Sequence, residues 1–211
     1  SNIHELQRTS AYDNQDDGKI NQVLDVLAKN DTWQIPTMAL NTGFTERHFM
    51  RPDWAESLKL LPEDIGKSWS EGIASFADRE ISEASKKRSQ WCLDMVDRIN
   101  DKEIKIMAGT DCPIFFLTPG FSLHEELAVL VQAGLAPLEA IESATLNPAE
   151  YFDLQKELGL VKEGFIADLL LLDANPLENI ENTKRINSVF KNGKLHARKD
   201  LDQLLNNLKK G

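Results

Sequence analysis

Ile104-Lys105-Ile106-Met107-Ala108-Gly109-Thr110-Asp111-Cys112-Pro113 is an apolar run that ends in Gly-Thr-Asp and is stopped by a proline. In an α/β protein, a buried parallel strand delivers a carboxylate in this way to the carboxyl-end rim of the sheet, where ligands bind. Asp111 is therefore the candidate catalytic residue. The competing reading is that Asp111 only caps a following turn, since Asp beside Pro and Gly is ordinary loop chemistry.

The elements around this stretch alternate as an α/β chain does. Ile20, Val23, Leu24, Val26 and Leu27 recur at helical spacing behind the cap candidates Asp16 and Asp17. Trp33 to Leu40 reads as a short strand, with Pro36 tolerable at an end, edge or bulge. Residues 41–68 form an excursion with turn residues and aromatics, and residues 70–100 are helical in period. Ser1 to Asp17 has no period and reads as a loop. After Pro113, Ser122 with Glu125 has capping-box spacing for a helix over Leu123 to Gln132. Ala136-Pro137 opens the next helix, and a short one follows at Tyr151. Beyond Leu158 the runs become short and strand-like, Lys191-Asn192-Gly193 signals a hairpin, and Asp200 to Lys210 is an amphipathic helix with lysines at its end. The implied division is 1–152 for the α/β part and 153–211 for the β part with its terminal helix.

Charge and composition restrict the function. The 211 residues carry a formal charge of -10 with 41% hydrophobic content. That balance argues against nucleic acid and anionic membranes, and favours a small or polar organic substrate. No run of about 18 apolar residues exists, so a membrane span is not expected. Cys92 and Cys112 lack metal or redox spacing and read as free thiols, weakly favouring a reducing, cytoplasmic setting. The chain opens Ser1-Asn2-Ile3 without a Met, as a cut inside a longer protein would leave it; a leader could have been removed, so localisation stays open.

Several pieces, in order, resemble the amidohydrolase superfamily and its imidazolonepropionase and prolidase-type branch. They are Ile35-Pro36-Thr37, Ala108-Gly109-Thr110-Asp111, Leu123-His124-Glu125-Glu126-Leu127, Ala133 to Ile141, Ala144 to Ala149, Gly159 to Gly164 with Ala167-Asp168-Leu169, Asn175-Pro176-Leu177 and Asn192-Gly193. The resemblance implies the last strands and helices of a (β/α)8 barrel plus the later strands of a small β-sandwich. It makes Asp111 a metal ligand and proton shuttle for hydrolysis of a C–N bond, with zinc as the expected divalent metal. His124 becomes a candidate substrate contact, although a satisfied helix-start histidine is the slightly preferred reading. Thr37 and Thr110 become supporting donors. Cys112 reads as a small rim residue, and Asp168 and Asp173 as turn formers.

The departures restrict this further. His4, His48, His124 and His196 contain no His-x-His pair, and His4 is a poor ligand candidate with no strand before it. One aspartate cannot hold zinc tightly, because open sites need three or more protein ligands. The expectation is an inactive carboxyl-terminal portion of a metal-dependent hydrolase, holding no metal by itself and self-associating through its open strand edge. Two alternatives are a non-catalytic interaction module on the same fold and a small enzyme using Asp111 with Cys112.

Overall fold

The computed structural model describes residues 3–208, with side chains from residue 7 onward except residue 8. The chain begins with helix α1 (Ile3–Asp13), where the sequence suggested a loop. A partner decides this: Tyr12 meets the Trp91 ring at 6.1 Å, Trp91 Nε1 donates to Gln15 Oε1 at 2.6 Å, and Lys87 pairs with Asp13 at 2.5 Å. Polar residues without a clear period are thus held helical from outside. Helix α2 (Asp17–Lys29) starts as expected, with the Asp16 carboxylate accepting the Lys19 amide at 3.1 Å. The side chains of His4, Lys209 and Lys210 lie outside the described ones.

The two expected parallel strands are reduced to a single bridge, Gln34 with Ile106. Gln34 N donates to Lys105 O and Met107 N donates to Gln34 O, both at 2.9 Å. The next donor in that ladder would be Pro36, which has no N–H, so pairing ends there. The first chain segment then turns into helix α3 (Met38–Asn41), which takes residues the sequence assigned to strand. On its other side the 104–110 segment bonds to helix ends: Ala108 N donates to Ser143 O at 2.9 Å, and Asn147 Nδ2 to Ile106 O at 2.8 Å.

Between these segments lie α4 (Gly43–Glu46), a 3₁₀ turn at His48–Met50, α5 (Pro52–Leu58), α6 (Glu63–Ala74) and α7 (Glu83–Asp101). The long helical period thus splits in two, and Ser82 caps the second part through Ser85 N. Then follow α8 (Phe121–Gln132), α9 (Pro137–Ser143) and α10 (Leu146–Tyr151). Met38, Val96, Ile106, Leu127, Leu130 and Ala140 belong to the main core, which thus joins α3 and the 104–110 segment to α7, α8 and α9.

The remainder is a three-stranded antiparallel sheet in the order β1 (Leu169–Leu172), β2 (Ile186–Lys191), β3 (Lys194–His196), with a 3₁₀ turn at Ile180–Lys184 before β2 and α11 (Arg198–Leu208) after β3. The Asn192-Gly193 hairpin forms as expected, with both residues at positive φ. Asp168 holds it, accepting from Asn192 N at 2.7 Å and from Lys191 Nζ, and these bonds keep its carboxyl below the ordinary range. Asp173 accepts from Asn187 Nδ2 of β2 at 2.9 Å, so Asp168 serves a turn as the sequence suggested while the side chain of Asp173 reaches across to the neighbouring strand. No helix among the described residues is long and apolar enough to cross a membrane.

Candidate active site at the carboxyl end of the paired segments

Ile104, Ile106 and Met107 are buried, and the segment they form emerges at Gly109-Thr110-Asp111. Gly109 is dictated by its neighbour: a Cβ there would stand 2.4 Å from Ile35 Cγ2. The Ile35 side chain therefore lies against the Gly109 backbone just before the polar end of that segment. Thr37 and Asp111, at the ends of the two segments, both have left-handed backbone, with φ of 52° and 54°. Each such non-glycine residue costs roughly 1–2 kcal/mol and persists only where its surroundings enforce it.

Asp111 is exposed and enters no ion pair among the described residues. Thr110 Oγ1 accepts from Ser122 Oγ at 3.2 Å and from Cys112 N at 3.4 Å, tying the loop after Asp111 to the first turn of α8. The expected capping box at Ser122 and Glu125 is absent. Helix α8 starts two residues earlier, at Phe121 behind Gly120 with φ 82°; Ser122 is engaged by Thr110 and Glu125 by the guanidinium of Arg51. Cys112 is an exposed thiol; Cys92 is buried in the main core, and burial pushes its thiol up.

His124 presents Nδ1 to Thr183 Oγ1 at 3.0 Å, which joins α8 to the 180–184 turn. Burial, then Lys184, lowers its pKa. His48 is fully buried with neither ring nitrogen partnered, 4.5 Å from the Trp54 ring, and its pKa is lowered to about 4, first by burial and then by Arg51 and Lys184. The sequence reading gave this histidine no role. The signal was present: a histidine inside an aromatic run has few polar partners to hand.

Glu126 is the other residue that went unremarked. It is fully buried, and its carboxylate accepts from Met38 N at 2.9 Å and Ala39 N at 2.7 Å. Burial raises its pKa to about 7, against the pull of those two amides. It thereby fastens the turn after Thr37 to the helix that follows Asp111. Two adjacent glutamates inside the apolar stretch from Leu123 to Val131 are the sequence signal for both buried contacts.

Among the described residues no group of three His, Cys, Asp or Glu side chains is placed to hold a metal ion. Asp111 offers one carboxylate, and His124 has Nδ1 engaged by Thr183. The residues present do not fit a closed metal centre on their own.

What fold and rim define is a class: an α/β chain whose adjacent parallel segments deliver a threonine and an aspartate to one edge. Within it, the chain belongs to the amidohydrolase family, whose pattern matches residues 45–196. It is 40% identical over 98 residues to an adenine deaminase of Oceanobacillus iheyensis, covering 46% of this chain and 16% of that protein. An ochratoxinase of Aspergillus niger is 38% identical over 97 residues, 44% of this chain and 19% of that one. The chain thus spans under a fifth of these relatives. Among solved structures, a bottromycin amidohydrolase superposes with a TM-score of 0.66 at 21% identity, over 84% of this chain and 40% of its own. A Xaa-Pro dipeptidase does so with 0.59 at 22%, over 83% and 37%. These two support the fold alone.

Proposed function

We propose that this chain contributes the last two strand segments of a (β/α)8 barrel and the later strands of a β-sandwich, divided near 152/153, to a metal-dependent hydrolase acting on a C–N bond of a small-molecule substrate. The observation that carries the reading is Asp111, standing at the carboxyl end of a segment in parallel register with 33–37, inside the family match. The family relatives at 38–40% identity are named for a deaminase and an ochratoxinase, which fits C–N hydrolysis. A divalent metal, zinc in this reading, would supply an acidified water. Asp111 would be the one ligand this chain offers such a metal, and its carboxylate would serve as the proton acceptor for an attacking water and the donor to the leaving nitrogen. His124, with Nδ1 engaged by Thr183, has only Nε2 to offer a substrate.

The test has two arms. The chain alone, supplied with zinc and assayed on a dipeptide, an N-acyl amino acid and adenine, is expected to show no turnover. In the complete open reading frame, Asp111→Asn is expected to lower kcat by about 10²- to 10⁴-fold. Turnover by the isolated chain, or an unaffected Asp111→Asn enzyme, overturns the proposal. The lack of a ligand cluster among the described residues favours a second reading, a non-catalytic interaction module. A start codon directly ahead of Ser1 would select it, and an in-frame His-x-His upstream would exclude it.

Self-association belongs to the same proposal. Ile35, at the rim, is 55% exposed, and Leu170 and Leu171 on the edge strand β1 are also exposed. Light scattering that finds a monodisperse monomer would count against it.

A further inference from the structure

The excursion between α3 and α7 is built around aromatic rings, and two of the rings in that cluster come from the loop that carries Asp111. Phe115 and Phe116 both have left-handed backbone, with φ of 50° and 63°. The two ring centroids lie 5.4 Å apart. Phe115 meets Phe44 at 4.3 Å and Phe49 at 5.2 Å. Phe116 meets Phe49 at 5.3 Å and Trp69 at 5.9 Å. Polar contacts fix the backbone as well: Trp54 Nε1 donates to Phe116 O and Ser57 Oγ to Thr118 Oγ1, both at 2.9 Å. Leu117 between them is fully buried.

Gly72 on α6 shows how close the approach is. A Cβ there would stand 2.9 Å from Phe116 Cε1 and 3.0 Å from Cζ, so any larger residue must displace the ring. Gly43 is pressed in the same way, 3.1 Å from Phe115 Cε1. Within the loop between Asp111 and α8 the backbone makes two turn bonds, Ile114 N to Asp111 O at 3.2 Å and Leu117 N to Ile114 O at 3.0 Å.

We propose that the excursion is a clamp which fixes the Asp111 loop: Phe115 and Phe116 are positioning residues for Asp111, held by the aromatic face of residues 44–76 and by the close approach of Gly72. The functional importance of this rests on Asp111 being catalytic, but the clamp itself is testable on the chain as it stands. A non-glycine residue in the left-handed region needs its surroundings to hold it there. The aromatic cluster supplies them for Phe115 and Phe116.

Hydrogen exchange and the carboxyl ¹³C resonance of Asp111 report the outcome in wild type, Phe116→Leu, Gly72→Ala and the double variant. In each single variant the amides of Ile114 and Leu117 are expected to exchange roughly ten-fold faster, while those of Val96 and Leu130 in the main core keep their protection. The Asp111 resonance moves in both. In the double variant the smaller Leu accommodates the new methyl, and amides and resonance return toward wild type. Gly72→Ala removes no core atom, so it serves if Phe116→Leu folds poorly. Unchanged exchange at Ile114 and Leu117, a loss shared equally by Val96, or an unmoved Asp111 resonance overturns the clamp. Asp111→Asn tolerates the same backbone and leaves the exchange pattern intact, so its effect on turnover judges the catalytic reading separately.

Discussion

On folding, Glu126 takes up a proton and His48 releases one over nearly the same pH interval, and substitutions that separate them test the buried chemistry quantitatively. Burial raises the Glu126 carboxyl from 4.5 to about 7 and lowers His48 from 6.5 to about 4. At about 1.4 kcal/mol per pH unit, either displacement corresponds to about 3 kcal/mol of pH-dependent stability. Unfolded Glu126 loses its proton near 4.5 but the folded group keeps it to about 7, so its stabilisation is complete below 4.5 and is lost as pH rises to about 7. Unfolded His48 gains a proton below 6.5 but the folded ring resists to about 4, so its stabilisation is complete above 6.5 and is lost as pH falls toward 4. In wild type the two slopes nearly cancel. Glu126→Gln exposes the histidine slope: relative to wild type, the variant gains about 3 kcal/mol between about pH 4.5 and 7. That gain is superimposed on a constant loss of roughly 1–3 kcal/mol, because the new NH₂ faces a backbone N–H. His48→Leu shows the reverse, losing about 3 kcal/mol relative to wild type over the same rise. Urea unfolding followed by tryptophan fluorescence across this range is the assay. Variants that keep a constant offset from wild type at every pH would refute the reasoning.

Other consequences follow from the same contacts. Arg51→Ala strands the buried Glu125 carboxylate and is expected to destabilise by about 3 kcal/mol in urea titration; Arg51→Lys recovers only part, because it cannot pair bidentately. Gly134→Ala would place a Cβ 2.3 Å from Asp97 Oδ1 at a φ of 111°, so a lower Tm is expected, with more than about 1 kcal/mol lost. A thiol reagent should modify one cysteine in the native chain and two after denaturation, the fast one being Cys112 by peptide mapping.

Much of the site was legible because it depends on short-range chemistry. The apolar run ended in Gly-Thr-Asp as read, and the Asp16 cap and the Asn192-Gly193 turn set their elements, whereas Asp168 and Asp173 make their contacts 23 to 24 and 14 positions away. The contacts that were missed are long-range. Glu126 reaches Met38 and Ala39 across 88 and 87 positions, and Arg51 reaches Glu125 across 74. No local period encodes such pairings. The capping-box expectation failed for that reason: Ser122 and Glu125 have the right spacing, but Thr110 and Arg51 take both side chains.

By itself, then, the sequence determined helices such as α2 and α8, the hairpin and the position of one carboxylate at the end of an apolar run. Each of these is set by residues within a few positions of one another. Tertiary structure decided which runs became strands and what holds the rim. Pro36 has no N–H to continue the ladder between the two segments, so they meet at one bridge and diverge. Glu126 and the aromatic clamp then fix the two ends. Backbone hydrogen bonds and buried charges must be satisfied by whatever the fold brings alongside, and that partner is not written in the neighbouring residues.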